Sequence, residues 1–185
     1  MVFQLRVTLS GIKGFYRVYK VNGATTLYTL HKQLRSDLEF PQDQLIMFKG
    51  LDITGAVVGR WGLFELGWGT VDCTPLEKAV KAGADTFVYF YDVTNRKSVN
   101  ITVEGEVPEA VSPDAPLLAD SKGPNPIEFE NGYVAFEDLP DPQRHLPGEG
   151  EDEEDFEEEE EDFEEEDGEE DGEDEDGKEI YDENE

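Results

Sequence analysis

FQLRVTLSGIKGFYRVYKVNGATTLYTLHKQLRSDLEFPQDQLIMF, running from Phe3 to Phe48, is the stretch that decides the fold class. Phe3, Leu5, Val7 and Leu9 alternate with Gln4, Arg6 and Thr8, the period of two that marks a strand with one buried face. Gly11–Gly14 predicts a turn, and Phe15–Val21, rich in aromatic and β-branched residues, predicts a second strand that Asn22-Gly23 stops. Thr25 or Thr26 is placed to cap a helix whose Leu27, Leu30, Leu34 and Leu38 recur at helical spacing. Phe40-Pro41 ends that helix, because proline forces the residue before it away from helical backbone. Gln44–Phe48 is the next expected strand, which completes a hairpin–helix–strand unit.

Outward from this unit the signals weaken and then return. Thr54–Thr70 places five glycines around Trp61, Phe64 and Trp68 and has no clear period. Thr74-Pro75 reads as a helix start, with Leu76, Ala79 and Val80 turned inward and Gly83 as its end. Phe87–Tyr91 reads as a buried central strand, and Val99, Ile101 and Val103 alternate in its expected partner. Residues 107–147 hold eight of the ten prolines and one small apolar segment, Gly132–Leu139. Strands and helices follow one another without a regular βαβ period, so the expectation is an α+β domain with a mixed β-sheet and two helices. The expected layout is a core over 1–106, a Pro/Gly-rich extension over 107–148 packed partly on it, and a disordered acidic tail over 149–185.

Charge sets that tail apart. The chain of 185 residues has 46 acidic and 15 basic side chains, a net charge of −31. Residues 149–185 contribute 27 acids and one base, Lys178, for −26, while residues 1–148 carry 19 acids and 14 bases, for −5. The large apolar side chains of the tail are Phe156, Phe163, Ile180 and Tyr181, too few to offset an ordering cost of ~1–2 kcal/mol per residue. Its sign excludes direct binding of the tail to nucleic acid. The start, MVFQLRVTLS, shows no charged region leading into an apolar run, and no apolar run approaches the ~20 residues of a membrane span. A single cysteine, Cys73, excludes an internal disulfide. A cytoplasmic protein without membrane contact is expected.

Two stretches carry a resemblance. Thr25-Thr26-Leu27-Tyr28-Thr29-Leu30-His31 follows two strands, and Gly83-Ala84-Asp85-Thr86-Phe87-Val88-Tyr89-Phe90-Tyr91-Asp92 precedes Ile101 and Val103-Glu104. In this order, over about residues 3–139, the chain resembles the plasmid ORF-3-like family, found on a root-inducing plasmid and also labelled a transposon-passenger TnpR-family protein. The resemblance implies the fold and an association with plasmids or mobile elements, and carries no activity. The Phe-Gly-Asp-x-Trp-x-His that the family pattern places after Tyr-Asp falls here on Val93, Thr94, Asn95, Lys97 and Val99, and its His-x-His on Gln44 and Ile46. A serine-recombinase reading of the TnpR label lacks its nucleophile and arginine cluster.

Groups for chemistry are few. His31 sits on the expected helix, where a partly buried structural histidine is the ordinary role, and His145 lies in a Pro-rich linker. Neither has a second histidine or a cysteine at ligand spacing, so neither a metal nor a cofactor is expected. Cys73 is expected to be a small buried thiol. Asp167–Gly172 resembles half of a calcium loop, but its twelfth position is Lys178.

What remains are three candidate surfaces. Arg6, Arg17, Lys20, Lys32 and Arg35 form a candidate basic face, because residues 1–60 carry eight bases and four acids. Trp61, Phe64 and Trp68 form a candidate aromatic contact loop, with the clipping of a loop onto its own core as the competing role. Phe156 and Phe163, seven apart, are candidate anchors in the tail. The favoured reading is a non-enzymatic protein-interaction module whose acidic tail binds a basic protein or masks the domain's own basic face. The alternative is a nucleic-acid-associated mobile-element protein that its tail inhibits, with only the N-terminal basic face able to meet DNA or RNA. An enzyme comes third, and would need paired carboxylates such as Asp92 and Glu104 in one pocket.

Overall fold

The structure is a computed structural model that describes residues 1–140. The acidic stretch 149–185, with Phe156 and Phe163, lies outside the described residues, as does His145.

The described chain is one seven-stranded sheet with helices packed on it. β1 (Val2–Leu9) and β2 (Ile12–Asn22) form the first hairpin, and α1 (Leu27–Asp37) follows. β3 (Met47–Leu51) and β4 (Val57–Gly62) form the second hairpin, before α2 (Leu76–Lys81). β5 (Thr86–Asp92) and β6 (Lys97–Val107) form the third, and β7 (Leu117–Lys122), α3 (Pro126–Glu130) and a single 3₁₀ turn at Phe136–Asp138 complete it. The order across the sheet is β4-β3-β5-β6-β1-β2-β7. The class is α+β. Instead of the expected mixed sheet, all neighbouring strands run antiparallel. Three tight hairpins impose that direction on three of the six pairs, and no strand–helix–strand crossover brings parallel strands side by side. A third helix, α3, adds to the two expected; it begins at Asn125-Pro126, where proline at the first helical position has no hydrogen bond to lose.

Strand alternation sorts the side chains into two faces. Phe3, Leu5, Val7, Tyr19, Val21, Phe48, Trp61, Phe87, Tyr89, Val99 and Ile101 share the buried face with Leu27, Leu30 and Leu34 of α1 and Leu76 and Ala79 of α2. On the other face none of Arg6, Thr8, Lys49, Arg60, Val88, Phe90 and Asn100 is buried. The register runs unbroken there across all seven strands through Arg60, Lys49, Val88, Asn100, Thr8, Tyr16 and Lys122.

Helix α1 is held at both levels. Thr26 is its N-cap, with Oγ1 accepting from the Thr29 amide at 3.1 Å. Two buried tyrosines of the sheet reach it: the Tyr89 hydroxyl lies 2.7 Å from His31 Nδ1, and the Tyr19 hydroxyl donates to Asp37 Oδ2 at 2.9 Å. Thr26→Ala removes the cap and is expected to lower stability by about 1 kcal/mol. Urea unfolding checks this, and an unchanged midpoint would speak against a capping role.

The third strand lies at Met47–Leu51 rather than at the expected Gln44–Phe48. Its pairing centres on Phe48 and Gly50, opposite Trp61 and Gly59 of β4. A Cβ on Gly59 would come within 2.4 Å of the Trp61 ring, and one on Gly50 within 2.9 Å, so both glycines make room for the indole. The glycine-rich segment therefore contains a strand, which its lack of period concealed.

Candidate functional site

The five candidate cations do not share a surface. Arg6 and Lys20 lie on the uncovered face of the sheet, each with a glutamate: Arg6 with Glu104, and Lys20 with Glu109. The hydrogen bond from Arg6 holds the Glu104 carboxyl below the usual range. Arg17 points the other way and is 7% exposed. Its guanidinium donates to the carbonyls of Tyr16, Lys122 and Gly123 and to Asn125 Oδ1, at 2.7–3.0 Å, and stacks over Phe15. Burial lowers its pKa from the ordinary arginine value. Lys32 and Arg35 are on α1, beside an open groove of about 500 Å³ that Glu39 also lines.

The aromatic segment also divides. Trp61 is buried in the core, whereas Phe64 and Trp68 are exposed in the loop after β4. The Trp61 indole N–H donates to the Trp68 carbonyl at 3.0 Å, so the loop is clipped to the core through the buried ring. The loop is braced further by Glu65, whose carboxylate accepts from the Gly67 and Gly69 amides and is held below its usual pKa by them. Between this loop and the start of β3 lies an apolar groove of about 170 Å³, lined by Leu45, Met47, Gly62, Phe64, Leu66 and Val93 among others. The hydrophobic residues scattered through 45–66 carried no period in the sequence, and only the folding of β3, β4 and the β5–β6 turn to one corner assembles them.

The groups considered for chemistry take structural roles. Asp92 caps the β5–β6 turn, accepting from the Asn95 side chain at 2.7 Å and its amide at 3.0 Å, and these bonds lower its pKa. It pairs across the ladder with Lys97, while Glu104 lies seven residues further along β6, roughly 23 Å at ~3.3 Å per residue. The two carboxylates therefore do not converge, and both are held ionised. Cys73 is exposed, contrary to the expectation of a buried thiol. Its neighbours Val71 and Thr74 turn inward in its place, and the thiol lies beside Asp72 Oδ2 at 3.6 Å. Among the described residues no group of three His, Cys, Asp or Glu side chains is placed to hold a metal ion, and no helix is long and apolar enough to cross a membrane.

His31 and Tyr89 come from the two separate stretches that carry the family resemblance, and they meet in the core. The sequence pattern of one family matches residues 1–176. The chain belongs to the plasmid pRiA4b ORF-3-like protein family. Among solved structures, a protein of unknown function from Methanosarcina mazei Go1 has a similar fold, with a TM-score of 0.54 and 19% identity over 65% of this chain and 68% of that one. No curated protein matches. Within this plasmid ORF-3-like fold, the β5–β6 turn meets the segment before β3, where the Val93 amide donates to the Leu45 carbonyl at 3.0 Å. Ile46 and Val99, at two of the positions that the family pattern gives to histidine, are buried apolar residues here.

Proposed function

We propose that this plasmid ORF-3-like protein is a non-enzymatic interaction module whose acidic stretch, 149–185, engages a basic protein in the cytoplasm. The observation that carries this reading is the segregation of charge: −26 of the net −31 resides in the last 37 residues, while the rest of the chain is nearly balanced. Such a polyanion attracts a basic surface and releases its counterions on contact, which makes the association salt-sensitive. Masking of the domain's own basic face draws less support, because Arg6 and Lys20 already have glutamate partners and Arg17 is buried. The same scatter weighs against a nucleic-acid-binding protein of mobile elements, which would need those cations on one surface. Separation of Asp92 from Glu104 weighs against the enzyme reading in the same way.

Deletion of 149–185 tests the proposal. Pull-downs at low and high salt with the full and the shortened chain should recover basic proteins with the full chain alone, and lose them at high salt. The same partners on both chains, with no dependence on salt, would sink the reading.

A further inference from the structure

Like charges directly opposite each other on neighbouring strands repel unless an anion lies over them. Lys49 of β3 and Arg60 of β4 are such a pair, on the face of the sheet that no helix covers. Three other cations of the sheet, Arg6, Lys20 and Lys122, each have a glutamate. Among the described residues neither Lys49 nor Arg60 has a carboxylate partner; Arg60 has only the Trp68 ring, 5.9 Å away. The groove at Lys32 and Arg35 differs, because Glu39 stands in it.

Two further features adjoin this pair. One step along the ladder Met47 faces Gly62, and there the apolar groove opens beside Phe64, which is 71% exposed. β4 is also the last strand of the sheet. The Gly62 carbonyl accepts from the Val71 amide on the outer side. By strand alternation Arg60, two residues back, turns its own N–H and C=O to that side, where no strand follows.

We infer that this corner binds an extended acidic peptide bearing one bulky apolar side chain. The peptide runs along the edge of β4 and pairs with the Arg60 backbone, as in other cases of strand addition. Its carboxylates lie over Lys49 and Arg60, and its apolar side chain enters the groove beside Phe64. Pairing along the edge stops at Arg60, because Thr70 and Val71 occupy the outer side of Gly62, and from there the peptide crosses the face to reach the groove. A nucleic acid has no main-chain amides to pair with the strand edge, so the three features together select a peptide. This inference deepens the interaction-module reading and rests on it, although it concerns a different surface and the opposite partner charge.

The test titrates the ¹⁵N-labelled full chain with the peptide SEEFEEEG and follows amide shifts. Shifts confined to the region of Met47, Lys49, Arg60, Gly62 and Leu66 are expected. Replacing the phenylalanine of the peptide by serine should weaken binding about tenfold, and so should Lys49→Glu in the protein. Lys49→Glu also places opposite charges across the ladder, so its Tm should hold or rise, which separates lost binding from lost folding. Shifts elsewhere, an affinity indifferent to Lys49→Glu, or stronger shifts with a single-stranded oligonucleotide would overturn the inference. Concentration-dependent shifts at these amides without peptide would identify a second copy as the occupant and overturn it equally. If the peptide fails to bind while the salt-sensitive partner of 149–185 is retained, this inference falls and the module reading stands. The opposite pattern removes that reading alone.

Discussion

Arg17→Met is expected to lower the stability of the domain by about 2 kcal/mol, and to loosen its C-terminal part more than its centre. The guanidinium ties β2 at once to the end of β7 and the start of α3. It donates to the Lys122 carbonyl at 2.7 Å and to the Gly123 carbonyl and Asn125 Oδ1 at 3.0 Å each. Phe15, on which it stacks at 4.7 Å, packs edge-on against Phe129 of α3. Methionine retains an apolar stem over Phe15 but leaves these acceptors without their donor, at ~1–3 kcal/mol for a buried polar group. Relief of the buried charge offsets part of the loss, as the lowered guanidinium pKa indicates. Beyond its ladder with β2, β7 has no buried side chain to hold it, since all six of its residues are exposed. The urea midpoint should fall by about 1 M. Amide exchange at Leu118 and Asp120 should accelerate while Phe87 and Tyr89 remain protected. Lysine should restore only part of the loss, because one ammonium cannot reproduce a planar fork of donors. A midpoint that does not move, or uniform loss of protection across the sheet, would contradict this role.

Acid should weaken the fold through His31. The ring is 5% exposed, and burial, with Arg35 and Lys32 nearby on α1, lowers its pKa from 6.5 to about 4. The group facing it from the sheet is Tyr89, whose own pKa burial raises, so the hydroxyl stays protonated and can donate to Nδ1 of the neutral ring. Between about 4 and 6.5 the unfolded chain binds the proton and the folded chain does not, so the contribution is complete above 6.5 and is lost as pH falls. At 1.36 kcal/mol per unit the full difference approaches ~3 kcal/mol, of which about 2 kcal/mol should appear between about pH 7 and pH 4.5. His31→Leu should be flatter over that window by this amount in urea unfolding at each pH. The many carboxylates of 149–185 are the same in both chains, so the comparison isolates the imidazole. Parallel loss of stability in the two chains would rule out His31 as the source.

Much of the first half of the domain was legible because each element carries its own period. Phe3–Val7 alternates and forms β1; Thr26 caps α1, with Leu27, Leu30 and Leu34 buried beneath it. The partnership of the Phe87 strand with Val99 and Ile101 appears in the ladder as Phe87 opposite Ile101 and Tyr89 opposite Val99. β7 was not legible, because an edge strand with no buried side chain has no apolar alternation to read. β4 was hidden by Gly59 and Gly62, which serve packing around Trp61 and Leu66 rather than strand propensity. The candidate cations failed to predict a surface for a related reason. Counting bases over residues 1–60 ignores that Arg6 and Arg17, on adjacent strands, point to opposite faces, and that acids from distant stretches arrive beside Arg6 and Lys20.

Local pattern and composition thus determined the α+β class, the hairpin–helix–strand start, the two main helices and the separation of a polyanionic stretch from a nearly neutral domain. These properties depend on residues close in the chain, where spacing alone states which side is apolar and which charges repel. The order of the seven strands, the burial of Arg17, the His31–Tyr89 contact and the corner where Lys49, Arg60 and Phe64 meet were decided only by the tertiary structure. Each joins residues from different hairpins, and which neighbours a side chain acquires depends on sheet order and register, quantities that no single stretch encodes.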